Sequence, residues 1–224
     1  FAGHSVGEVG VAALAGVLSP QAAITLAAIR GREMAAACAL EPTSMAAVLG
    51  GDEAEVVAAI DAAGLYPANR NGAGQIVAAG AVDALDKFIA EPPARARVIR
   101  LQVAGAFHTP YMAPAEQALG EVAAGITPAD PGRTLLSNLD GTAVATGSEM
   151  LGRLVHQVTA PVRWDLCMQT LARAGVTAIV ELPPAGTLAG LAKRALKGVE
   201  IVTVNTPDDL AAARDLFARI GGHR

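Results

Sequence analysis

The chain has 224 residues, enough to bury one domain-sized core with room for a small inserted unit. Apolar residues make up 52% of it, aromatics only 3%, and the net charge is −4. The apolar fraction is rich in Ala, and the longest apolar stretch, Val9 to Leu18, is broken by Gly10 and Gly16, so no membrane span is expected. Arg and Lys are scattered without aromatic interleaving, which argues against nucleic acid as a partner.

Cys38 and Cys167 sit in Ala- and Leu-rich contexts without CxxC spacing and read as small buried hydrophobes of a reducing, cytoplasmic compartment. Four dispersed histidines and two dispersed cysteines give no metal-ligand spacing, so no metal is expected. The chain opens on Phe1-Ala2-Gly3-His4-Ser5 rather than on the basic start and apolar core of a secretory signal.

Helical patterning runs from Val6 to Ala39, broken at Ser19-Pro20, where Ser19 suits a helix cap and Pro20 the first helical position. From Met45 to Val103 the pattern alternates. Strands are expected at Met45–Leu49, Leu65–Ala68, Gln75–Ala79 and Arg97–Val103, helices at Asp52–Ala63 and Val82–Ala90, and a turn over Asn69 to Gly74. The order β-α-β-β-α-β is that of a ferredoxin-like unit, so residues 43–104 read as an inserted subdomain and 1–42 with 105–224 as the α/β core.

After His108, helices are expected at Met112–Ala124, Glu149–Thr159, Trp164–Ala174 and Thr187–Leu196, and strands at Thr134–Ser137, Thr177–Leu182 and Glu200–Val204. A last helix is led by Pro207-Asp208. Such alternation predicts a mostly parallel sheet covered on both faces.

Gly3-His4-Ser5-Val6-Gly7 fits the G-x-S-x-G nucleophile elbow of a hydrolase-like core, with helical sequence directly behind it. Its glycines permit a sharp strand-to-helix turn that presents a serine hydroxyl, and the amide of Val6 would face a developing oxyanion. A serine needs a base. His4 lies inside the motif and points away from Ser5, and His223 falls in the terminal tail. His108 and His156 remain: His108 in the loop Gly105 to Pro110, His156 in mid-helix with no functional signal. An esterase would place its acid and then a late His after the Ser, and no acid stands out here.

Taken together, the residues resemble malonyl-CoA:acyl carrier protein transacylases, including the acyltransferase domains of polyketide and fatty-acid synthases. The likeness rests on Gly3-His4-Ser5-Val6-Gly7-Glu8, Arg30-Gly31 with Met34, Asn69-Arg70-Asn71 with Gly74-Gln75-Ile76-Val77, and Ala106-Phe107-His108. It continues through Ser137-Asn138, Gln157 with Pro161-Val162-Arg163-Trp164, and Pro184 to Lys193-Arg194, in the family's order along essentially the whole chain.

The resemblance implies a ping-pong reaction in which Ser5 takes a malonyl group from malonyl-CoA and passes it to acyl carrier protein, with His108 as the base. It also implies that His108 is oriented by the backbone carbonyl of Gln157, that Arg30 holds the malonyl carboxylate, and that no cofactor is needed beyond the coenzyme A of the substrate. Val6 and Phe107 resemble the malonyl-selecting pattern, Phe107 filling the space an α-methyl would need. Asn71 and Gln75 would line the cleft for the pantetheine arm, or else serve their own turn. Lys193 and Arg194 would face phosphate or carrier protein, or simply solvent.

The family's first strand and its Gly-Gln-Gly loop, which supplies a second oxyanion donor, have no counterpart among these residues. Phe1–Arg224 is therefore expected to be part of a longer protein and to be inactive and poorly folded alone. Two other readings stand beside transfer: a serine thioesterase or hydrolase, which would not need Arg30, and a non-catalytic carrier-protein-binding module.

Overall fold

Helix α1 (Gly7–Leu14) starts two residues after Ser5, and α2 (Pro20–Cys38) starts at the expected break, with Ser19 Oγ accepting the amide of Ala22 at 3.1 Å. The protein is described here by a computed structural model covering residues 1–221, and His223 lies outside them. The buried stripe of α2 is Ala23, Leu26, Arg30, Met34 and Ala37, spaced by three and four, so Arg30 occupies a position that packing would fill with an apolar side chain. Glu8 does the same on α1, beside Val9 and Ala12. These stripes pack with α5 (Ala113–Ala123) and α6 (Gly147–His156) around Leu119, Leu135, Met150 and Val158.

Strands β1 (Thr43–Gly50), β2 (Tyr66–Gly72), β3 (Gln75–Ala81) and β4 (Ala96–Arg100) form one sheet in the order β2-β3-β1-β4. Helices α3 (Glu53–Ala62) and α4 (Val82–Ala90) cover one face through Val56, Ile60, Leu85 and Phe88. Met45, Ala68, Val77 and Ala79 line the other face with Ala106, and Phe107 and Tyr111 pack against both this layer and the helical core. Burial on both faces is why β1 and β3 read as nearly unbroken apolar runs.

Three expectations are corrected. The mostly parallel sheet expected of the residues after His108 is reduced, among the described residues, to one parallel pair, Ala178–Glu181 with Glu200–Thr203, and the main sheet is instead the four-stranded one of residues 43–100, antiparallel in every pairing. The segment expected as a strand at Thr134–Ser137 makes only an isolated bridge, Leu136 to Ala143. Outside that bridge, the Phe1 amine donates to Thr134 O at 2.5 Å, the Phe1 carbonyl accepts from Leu136 N at 2.9 Å, and Ser137 O accepts from Gly141 N at 2.8 Å. The turn is also shorter than expected. Asn69, Arg70 and Asn71 belong to β2, and Ala73-Gly74 alone make the reversal, with φ of 48° and 74°, the doubly positive pair that suits the twist of a two-residue hairpin.

The chain divides between Cys167 and Met168, within α7 (Trp164–Arg173), into two compact units. In the second, β5 (Ala178–Glu181) pairs in parallel with β6 (Glu200–Thr203) across α8 (Thr187–Ala195). The Glu181 carboxylate accepts amides of Gly186, Leu188 and Ala189 at the start of α8. A 3₁₀ turn at Pro207–Asp209 leads into α9 (Leu210–Gly221).

Candidate active site

Ser5 lies in a left-handed turn, φ 55°, between the extended residues that precede it and α1. The turn is tight enough that a Cβ on Gly3 would lie 2.2 Å from the Gly7 carbonyl oxygen, so glycine is required there; a Cβ on Gly7 would meet nothing within 4 Å. Ser5 is held at both ends of its peptide unit. Its amide donates to Asn138 Oδ1 at 2.8 Å and its carbonyl accepts from Gln157 Nε2 at 3.0 Å.

The Ser5 hydroxyl meets His108 Nε2 at 2.7 Å, and His108 Nδ1 lies 2.8 Å from the Gln157 carbonyl oxygen. A carbonyl only accepts, so the ring proton sits on Nδ1 and Nε2 is left as an acceptor for the serine. Burial lowers the His108 pKa to about 4, so the ring is neutral near pH 7. His108 also has left-handed backbone, φ 62°, and its amide donates to Val158 O at 3.0 Å.

One guanidinium nitrogen of Arg30 donates to Ser5 Oγ and to Gln157 Oε1, each at 3.1 Å. Its Nε is buried without a partner, and among the described residues no carboxylate lies within 4 Å of it. Burial lowers the Arg30 pKa to about 10, against the pull of Glu8, which leaves a charged guanidinium at pH 7.

Five of the residues read from sequence are thus placed together: Ser5, Val6, Arg30, His108 and Gln157. The Val6 amide, next to Ser5, donates no hydrogen bond among the described residues. Asn71 reaches the elbow differently from expectation. Its Oδ1 bonds His4 Nε2 at 2.8 Å and its Nδ2 bonds Gln75 Oε1 at 3.4 Å, so the pair supports the residue before Ser5. Phe107 is half-buried against both cores. His156 bonds Glu116 at 2.9 Å on an exposed face, and Lys193 and Arg194 are exposed.

Sequence reasoning gave no role to Glu8 and Asn138. Asn138 accepts the Ser5 amide and donates to Gly3 O at 2.7 Å, and Glu8 accepts the Asn138 amide at 2.6 Å as well as Gln157 Nε2. The signal was present for Glu8: an acid between Gly7 and Val9 on an apolar helix needs a buried partner, as Arg30 does. Among the described residues no three His, Cys, Asp or Glu side chains converge on a metal-sized site.

Residues 1–209 match the model of the acyl transferase domain family. A malonyl CoA-acyl carrier protein transacylase of Mycolicibacterium smegmatis is 58% identical over 213 residues, 93% of this chain and 73% of that protein. The crystal structure of MCAT from Mycobacterium tuberculosis matches with a TM-score of 0.92 at 57% identity, over 94% of this chain and 70% of that one. PlMCAT, solved in complex with AntF, its type II PKS acyl-carrier protein, matches with a TM-score of 0.88 at 29% identity, over 96% and 72%. With a serine-histidine pair at its elbow and a family match along nearly its whole length, this α/β chain belongs to the acyl transferase domain family.

Proposed function

We propose that the chain is a malonyl-CoA:acyl carrier protein transacylase that carries malonyl as an ester on Ser5. The observation that carries this reading is Arg30. A buried cation touching the nucleophile's own oxygen, with no carboxylate beside it among the described residues, suits an acyl group that ends in a carboxylate. In a malonyl ester the free carboxylate is only two bonds from the ester carbonyl carbon.

His108 Nε2 takes the Ser5 proton as Oγ attacks the thioester carbonyl. The negative charge moves to the carbonyl oxygen, where the free amide of Val6 is the donor at hand. Collapse breaks the carbon–sulfur bond, and the imidazolium, steadied by the Gln157 carbonyl, returns the proton to the leaving coenzyme A thiolate. In the second half, His108 takes the proton of the phosphopantetheine thiol, sulfur attacks the Ser5 ester, and the proton returns to Oγ. Each proton has a protein carrier, so the reading invokes no cofactor besides the coenzyme A of the substrate.

The finer fold reading is part of the proposal. The strand order β2-β3-β1-β4 with two helices on one face supports a ferredoxin-like unit within residues 43–104, and the pairing of Phe1 with 134–136 behind the elbow supports a hydrolase-like core for the rest. A cytoplasmic setting is supported by two unbridged cysteines, the Cys167 thiol being pushed up to about 12 by burial. No helix among the described residues is long and apolar enough to cross a membrane.

Intact-mass spectrometry of the full-length protein after brief exposure to malonyl-CoA tests the proposal. A malonyl adduct absent from Ser5→Ala and weak in Arg30→Ala is expected. Free malonate with no adduct would mean a hydrolase, and neither adduct nor turnover would mean a binding module.

A further inference from the structure

Glu8 touches no reacting atom, yet it is 1% exposed and both its oxygens are used. One accepts the Asn138 amide at 2.6 Å and the other accepts Gln157 Nε2. The Gln157 amide has a donor end and an acceptor end. The donor end serves Glu8 and the Ser5 carbonyl, and the acceptor end takes the Arg30 guanidinium at 3.1 Å. Turned over, the same amide would set NH₂ against Arg30 and oxygen against both Glu8 and Ser5 O, three mismatches at once. An acceptor-only group at position 8 selects the observed orientation together with Arg30 and the Ser5 carbonyl, and a donor there would oppose it.

We infer that Glu8 is a positioning residue that, through the Gln157 amide, holds Arg30 where it favours acyl groups ending in a carboxylate. This rests on the proposed malonyl transfer. The charged and titratable groups acting on Glu8 are Arg30 from α2, Arg153 from α6 and the Cys167 thiol from α7. Arg153 is already engaged by Asp140 and Glu149 at 2.8 and 2.7 Å. Burial pushes the Glu8 carboxyl up to about 7, above its usual range, so its acceptor-only form is lost on mild acidification.

The test compares single-turnover loading of the full-length protein from malonyl-CoA and from acetyl-CoA. Glu8→Gln keeps the shape but turns a donor toward Gln157 or Asn138, and the malonyl-to-acetyl rate ratio is expected to fall roughly 10-fold or more. In an Arg30→Ala background the same substitution leaves the ratio where it was. Equal losses with both donors would overturn the inference, because a scaffold role slows both alike. Should Glu8→Gln not fold, the unaltered protein decides. Its ratio falls between pH 8 and pH 6 and is flat in Arg30→Ala, while a flat ratio in the unaltered protein overturns the inference. The coenzyme A phosphates are common to both donors and cancel, and His108 titrates well below this window. Normal malonyl loading with an unmoved ratio sinks only the role of Glu8; no malonyl on Ser5 at all sinks the functional reading and the inference with it.

Discussion

Ser5 and His108 both carry left-handed backbone, φ 55° and 62°, and meet through a 2.7 Å hydrogen bond between Oγ and Nε2. For residues with a Cβ this conformation costs about 1–2 kcal/mol each. The bonds to Ser5 N, Ser5 O and His108 N hold it in place, so the serine hydroxyl and the imidazole are held in contact in the free protein.

Gly3→Ala and Gly7→Ala are expected to act in opposite directions. The first drives a Cβ into the Gly7 carbonyl and should cost about 4 kcal/mol or more. The second finds open space at the first position of α1 and should gain about 0.4–1 kcal/mol by restricting the unfolded chain. Urea unfolding of the two variants checks the pair.

Glu8 and His108 make opposite contributions to stability with pH. His108 has its pKa lowered from 6.5 to about 4, so its contribution is full above pH 6.5 and lost as pH falls toward 4. Glu8 has its pKa raised from 4.5 to about 7, so its contribution is full below pH 4.5 and lost as pH rises toward 7. Between them, one proton is bound in both the folded and the unfolded state, and the pair leaves stability nearly level. His108→Gln should therefore lose stability as pH rises from 4.5 to 7, and Glu8→Gln should gain it from 4 to 6.5, each by up to about 1.4 kcal/mol per pH unit. Urea midpoints across this range measure both slopes.

The elements legible in the sequence were those with a local cause. Ser19-Pro20 caps α2 and Asp52 caps α3, its carboxylate accepting the amides of Ala54 and Glu55. What escaped was set by distant partners. Asn69 to Asn71 looked like a turn because polar residues crowd there, but Arg70 pairs with Glu53 and Asn71 with His4, contacts that local pattern does not encode. The segment 134–137 escaped for the same reason, since it bonds to Phe1 and bridges Ala143 instead of joining a strand. At the site, the elbow motif pointed to Ser5, but the choice of His108 came from family likeness, because its orienting group is a backbone carbonyl and leaves no side-chain signature.

Arg30→Lys should keep the charge and lose the planar fork. Malonyl loading is expected to drop roughly 10- to 150-fold, the loss of one or two charge-assisted hydrogen bonds, with acetyl loading little changed. Single-turnover mass spectrometry with each donor measures this.

Phe107→Ala should relax acyl choice. If the ring fills the place of an α-methyl, methylmalonyl loading rises relative to malonyl by about 10-fold or more, the usual scale for one methyl group. Competition between the two thioesters reads the ratio directly. An unchanged ratio would leave Phe107 as packing between two cores.

The outer edge of β2 is not open. Arg70 N donates to Val162 O and Val162 N to Ala68 O, both at 2.9 Å, and Val162 lies five residues after Gln157 and two before Trp164, whose ring stands edge-on to His4. The antiparallel sheet is thereby sewn to the segment whose Gln157 carbonyl orients His108. In recombination terms, residues 43–104 are not a portable cassette. A chimaera that imports them from a relative must bring the matching 157–164 segment and a partner for His4, whereas short peptide tags belong at Ala73-Gly74, where the hairpin turns.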